Sequence, residues 1–152
     1  MTELKWDLLF EMSGELEGAF DVGATPHGKR RIITARGGTF GGPRLRGKLM
    51  PGTTDWQLIR PDGTLEIDAR LTLLTDDGQF IYMHYTGIRT GSPDVLQRLA
   101  NGEAVEPSEY YFRTSPFFEA GTGRYDWLNR IVTVGIGRRT ATAVIYIVYT
   151  LL

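Results

Sequence analysis

From Leu4 to Met12 the apolar residues Leu4, Trp6, Leu8, Phe10 and Met12 occupy every second position, the period of a strand that buries one face. Leu16 to Phe20 predicts a short strand or a turn back, and DVGATPHG at Asp21 to Gly28 predicts a loop through its Gly and Pro. Lys29 to Ala35 returns to an extended run in which Ile32, Ile33 and Thr34 are branched at Cβ. Thr54 to Arg60 predicts another strand, closed by a Pro61-Asp62-Gly63 turn whose proline presets one dihedral and whose glycine accepts a positive φ. Beyond it Leu65, Ile67, Ala69, Leu71 and Leu73 form one strand face, and Glu66, Asp68, Arg70 and Thr72 the other. Asp76, Asp77 and Gly78 turn the chain, and Gln79 to Arg89 returns with Ile81, Met83 and Tyr85 opposite Tyr82, His84 and Thr86.

Only Ser92 to Asn101 reads as a helix: Ser92 suits the cap, Pro93 the first turn and Gly102 the exit, while Val95, Leu96, Leu99 and Ala100 make an apolar stripe. Glu109 to Pro116, Tyr125 to Ile136 and Arg139 to Leu152 predict further strands. The last is apolar on both faces, which calls for cover on both sides, by the core and by another element or subunit. The stretch from Gly37 to Trp56 holds six of the 19 glycines and two of the seven prolines. Glycines so placed in strands mark bulges, tight bends or a close backbone approach. About ten strands with one short helix imply an all-β fold, and closure into a single antiparallel barrel removes exposed edges.

Composition narrows the function classes. A chain of 152 residues is expected to form a single domain over residues 1–152 with one core. A net charge of −1 gives no general attraction for nucleic acid, and the lack of cysteine removes disulfides, thiol nucleophiles and thiolate metal sites. Neither a signal-length apolar run nor a membrane-spanning segment is visible, so the cytoplasm is the expected compartment and no membrane partner is expected. One local asymmetry stands out: Lys29 to Lys48 carries seven Lys or Arg and no acid. It reads either as a solvated face paired with acids of neighbouring strands, such as Glu66 and Asp68, or as a cationic mouth for an anionic small molecule.

Several short patterns occur in order along the chain: GGxFxGPxLxG at Gly37 to Gly47, DW at Asp55 and Trp56, DG at Asp77 and Gly78, YFRTxPxFE at Tyr111 to Glu119, YxWLN at Tyr125 to Asn129, and the strand Ile145 to Tyr149. Together they resemble the domain-of-unknown-function family 3237, also called uncharacterised protein family 0311. The resemblance implies a compact barrel of lipocalin-like or allene-oxide-cyclase-like appearance, in homodimers. It implies no activity.

The glycine bend has neither GxGxxG nor a Walker ending, and Pro43 and Gly47 oppose a following helix, so a nucleotide site is not expected. His27 and His84 are the only histidines and lack metal-ligand spacing, so no metal and no cofactor are expected. Ser13, Ser92, Ser108 and Ser115 lack a GxSxG elbow. What remains is a set of polar and aromatic residues spread over several strands. In it Asp55 and Tyr82 are candidate acid or base, Arg70 and Arg113 candidate anion clamps, and Trp56, Tyr125 and Trp127 candidate walls, with His84 and Asn129 also against the substrate. The same residues read equally as core aromatics plus an Arg and Asp pair that sets strand register. Two functions follow from a partly empty barrel: a cofactor-free isomerase, cyclase or lyase on a small aromatic or polyketide-like compound, or a carrier or sensor of a small hydrophobic ligand.

Overall fold

The structure, a computed structural model, describes residues 2–152. Nine strands form one antiparallel sheet: β1 (Trp6–Thr25), β2 (Gly28–Gly41), β3 (Arg46–Leu49), β4 (Thr53–Ile59), β5 (Leu65–Thr75), β6 (Phe80–Gly91), β7 (Tyr110–Ala120), β8 (Thr133–Arg139) and β9 (Ala143–Leu151). Because β1 pairs with both β2 and β9, the sheet closes into a ring. β3 and β4 together act as one broken strand between β2 and β5: β2 pairs with β4 over Lys29 to Ala35 and with β3 over Gly38 to Gly41. The helix α1 (Pro93–Ala100) follows β6, and its Ser92 cap accepts a hydrogen bond from the Val95 N–H at 3.2 Å.

Alternation explains most of these elements. Leu65, Ile67, Ala69, Leu71 and Leu73 of β5 and Ile81, Met83 and Tyr85 of β6 point inward and are buried. At one end of the barrel the Phe10 ring meets Phe40 at 5.3 Å and Phe118 at 5.9 Å between ring centroids. Phe10 is wholly buried, so Phe10→Ala is expected to cost about 3–5 kcal/mol in urea unfolding, and a loss under about 1 kcal/mol would show that the ring is not the centre of this packing. On the outside Val132 just before β8, Val134 and Ile136 on it, and Trp6 and Leu8 on β1 are exposed.

Two segments differ most from the sequence expectation, and a third differs at its start: Arg139 ends β8, Thr140 and Ala143 hydrogen-bond across a turn, and β9 begins only at Ala143. Asp21 to Gly28 is not a loop: β1 runs on to Thr25 through register shifts at Glu15/Leu16, Leu16/Gly18 and Asp21/Gly23, and only Pro26 and His27 turn before β2. A bulge absorbs Gly23, and Gly28 pairs with Thr25 where the turn closes. Tyr125 to Ile136 is not one strand, because Asp126–Arg130 forms a 3-10 turn and β8 starts only at Thr133. The reason is local hydrogen bonding. The Leu128 N–H donates to the Tyr125 carbonyl at 3.0 Å, and the Asn129 side chain both accepts from the Ala120 N–H (2.9 Å) and donates to its carbonyl (2.8 Å). With about three residues per turn, Tyr125, Trp127 and Asn129 no longer share a face.

Candidate active site

The inward row of each strand changes character along the barrel. Toward the Phe10 end it is aliphatic and aromatic, whereas toward the other end the same rows finish in polar groups. β2 carries Arg31 before Ile33 and Ala35, β4 carries Asp55 and Gln57, β6 continues from Tyr85 to Arg89, β8 ends in Arg139, and β9 contributes Tyr146. These side chains line a cavity of about 80 Å³ at the barrel mouth, with Leu99 and Ala100 of α1 lying against it. α1 thus supplies an apolar rim that screens the mouth from water, a condition under which charges interact strongly.

Hydrogen bonds hold the polar groups in a chain. Arg31 donates through Nε (3.3 Å) and Nη2 (3.0 Å) to Gln57 Oε1, so the Gln57 amide is oriented with Nε2 donating to Asp55 Oδ2 at 2.8 Å. The other Asp55 oxygen accepts the backbone N–H of Asp68 at 3.0 Å. Burial nonetheless raises the Asp55 carboxyl above its ordinary value, outweighing those two hydrogen bonds, and the Asp68 charge pushes the same way. The Tyr85 and Tyr146 rings lie with centroids 5.0 Å apart and planes tilted by 60°, and burial above all holds both phenols protonated. Arg89 is lowered to about 10, by burial first and then by the Arg139 and Arg31 charges, so it stays cationic at neutral pH. Its Nε is buried without a hydrogen-bond partner. Arg139 is lowered for the same reasons, burial first and then Arg31, while its guanidinium reaches the Thr140 carbonyl and its backbone N–H donates to the Tyr110 hydroxyl at 3.1 Å.

Among the residues singled out in the sequence, Asp55 alone lines this mouth. The inward parity of β5 and β6 is that of Leu65 and Ile81, so Arg70, Tyr82 and His84 point outward on the barrel wall. His84 Nε2 lies 2.7 Å from Asp68 Oδ1 there. Trp56 and Arg113 also face out and border an open groove of about 850 Å³ on the outer surface, where Arg113 lies 5.1 Å from the Tyr111 ring centroid. Tyr125, Trp127 and Asn129 belong to the turn after β7. There the Tyr125 hydroxyl donates to Asp77 Oδ1 at 2.7 Å and Trp127 packs 3.6 Å beneath the Arg44 guanidinium.

Arg31, Gln57, Tyr85, Arg89, Arg139 and Tyr146 were missed by sequence reasoning. One signal was there to be read. Arg89 extends the buried row Ile81, Met83, Tyr85, and a charge at the end of a buried row marks either a strand end or a polar pocket. Arg31 lies in the cationic run, where the cationic-mouth reading covered it without singling it out.

Comparison with known proteins gives the architecture a family. A protein of uncharacterised family 0311 from Rhodopseudomonas palustris (strain TIE-1) is 39% identical over 139 residues, covering 91% of this chain and 89% of the relative. A crystal structure of a β-barrel-like protein from Acinetobacter baumannii matches with a TM-score of 0.87 and 40% identity, over all of this chain and 98% of that one. At 18% identity, the crystal structure of an enzyme from Penicillium herquei shares the fold with a TM-score of 0.70 over 97% of this chain and 96% of its own. No helix among the described residues is long and apolar enough to cross a membrane. The model of the family described as protein of unknown function (DUF3237) matches residues 4–151, and the chain belongs to that family.

Proposed function

We propose that the barrel mouth is the centre of a cofactor-free enzyme that relocates a proton within a small aromatic or polyketide-like compound, as an isomerase, cyclase or lyase. The observation that carries this reading is the pairing of Asp55, the one carboxylate lining the cavity among the described residues, with a buried Arg89 whose Nε has no partner. A carboxylate raised by burial is a stronger base once ionised, and a preorganised cation stabilises negative charge as it develops on a substrate oxygen. In the proposed step Asp55 takes a proton from carbon or oxygen, and the electron pair left behind delocalises onto an oxygen facing Arg89. The protonated Asp55 then returns the proton at another atom or to a leaving group. Tyr85, Phe112 and Tyr146 supply flat walls at the cavity, whose roughly 80 Å³ takes the reacting end of such a compound while the rest of it extends out of the mouth.

The test is a native mass-spectrometric screen of metabolite extracts, followed by incubation of each retained compound with the protein in D₂O. Conversion, or deuterium gained only in the presence of protein, is the expected result. A compound that is retained, unconverted and free of deuterium would make the barrel a carrier.

A further inference from the structure

The barrel mouth is unbalanced in charge. Arg31, Arg89 and Arg139 line it together with one acid, Asp55, and no other charged side chain among the described residues does so. The tyrosines do not correct the balance, since burial keeps them protonated. Three guanidiniums against one carboxylate leave an excess of about two positive charges in a small, partly screened space, within a chain whose net charge is −1. The guanidiniums are not equally occupied. Arg31 is committed to Gln57, and Arg139 reaches the Thr140 carbonyl, but the buried Arg89 Nε has nothing to donate to. An unpaired buried donor and uncompensated like charges are both costly, and one anion placed between Arg89 and Arg139 relieves both at once.

We propose that the natural ligand of the mouth is a small organic acid, held through its carboxylate by Arg89 and Arg139 beside Asp55. A carboxylate matches the planar donor fork of a guanidinium, and the aromatic wall of Tyr85, Phe112 and Tyr146 suits a flat body attached to it. This inference rests on the reading of the mouth as the site of proton transfer. It adds to it the class of substrate: the acid group anchors, and the atom that exchanges a proton with Asp55 belongs to the body of the same molecule.

The probes are acetate, pyruvate, benzoate and salicylate, each compared with its amide, titrated into the full chain and followed by calorimetry and by the Arg Nε–H signals in NMR spectra. At least one acid is expected to bind ten-fold or more tightly than its amide and to move the Arg89 Nε–H signal. Arg89→Gln is expected to weaken that acid at least ten-fold, and Arg89→Lys less, since it keeps charge but loses the fork. Arg113→Gln, on the outer wall, is expected to leave binding unchanged. If Arg89→Gln does not fold, Arg139→Gln takes its place with the same expectation. The inference is overturned if no acid is preferred to its amide, or if a folded Arg89→Gln binds as the wild type does. It is equally overturned if Arg113→Gln is the variant that loses binding. Acid binding without proton exchange would remove the enzyme and keep the anion site, whereas exchange on neutral compounds alone would do the opposite.

Discussion

Gly47→Ala is expected to destabilise the barrel by about 3 kcal/mol or more, a large share of the roughly 5–15 kcal/mol that holds an ordinary domain folded. Gly47 sits in the middle of β3, paired with Phe40 on one side and Thr75 on the other. A methyl group there would lie 2.9 Å from both the Leu74 carbonyl carbon and Thr75 Cα, and closer still to the Leu74 oxygen. Unstrained carbon contacts are about 3.5–4.0 Å, and the obstacle is backbone on both counts, so relief requires β5 itself to move. Gly38 and Gly42 meet the backbone of β1 in the same way, at Ser13 and Leu9. Gly18→Ala is the control: a methyl group at that position would have no atom within 4 Å, so its effect should stay within about 0.5 kcal/mol. Urea unfolding of both variants decides the matter, and a Gly47→Ala midpoint matching that of Gly18→Ala would show that the strands do not approach as described.

Asp55→Asn is the second large effect, with turnover of any substrate found by the extract screen expected to fall about 10²–10⁴-fold, the usual contribution of a positioned base. Its stability should change with pH in a direction the site dictates. Asp55 is faced by Gln57, Arg31, the Asp68 N–H and carboxylate, Arg89, Arg139, Tyr85 and Tyr146; burial, helped by the Asp68 charge, outweighs the hydrogen bonds from Gln57 and Asp68 and the Arg89 charge and raises its carboxyl in the folded state. A raised acid favours the folded protein while protonated. As pH rises from the ordinary carboxylate value of about 3.9 through the higher folded value, the wild type therefore loses stability that the asparagine variant keeps. At low pH the variant should be the less stable of the two, because the NH₂ of the introduced amide can meet the Gln57 Nε2 from which Asp55 now accepts. The wild-type advantage should thus shrink or reverse between about pH 4 and neutrality. Thermal midpoints of the two proteins across that range check it, and a constant difference would mean that Asp55 titrates as an ordinary surface carboxylate.

The two predictions differ in how far they were readable in advance. The density of glycine from Gly37 to Trp56 points to bulges, tight bends or a close backbone approach, and the structure decides for the close approach at Gly38, Gly42 and Gly47 and adds which strand lies opposite. Asp55 was legible as a candidate, but its companions were not. Tyr82, His84 and Arg70 alternate with apolar residues, as Asp55 and Gln57 flank Trp56, and a period of two states that faces differ without saying which one is inside. The aliphatic rows of β5 and β6 settle it, since burying Leu73, Ile81 and Met83 forces Arg70, Tyr82 and His84 outward. The turn at Asp126–Arg130 was misread for a related reason: over five residues, Tyr-x-Trp-x-Asn fits a strand as well as it fits a 3-10 turn. The contact that decides between them, Asn129 with the Ala120 backbone, joins residues from opposite sides of a glycine loop.

The linear order of residues was enough to establish an all-β chain, the hairpins turned by Pro61-Asp62-Gly63 and by Asp76, Asp77 and Gly78, the capped helix and the crowded glycine bend, because each depends on neighbours a few positions apart. The meeting of Arg31, Asp55, Arg89 and Arg139 at one height of the barrel belongs to the closed ring. Those residues come from β2, β4, β6 and β8, and the stagger between strands that levels them is set by bulges, by the break between β3 and β4 and by ring closure through β1 and β9. Such stagger is a property of all the pairings at once, and no local pattern encodes it.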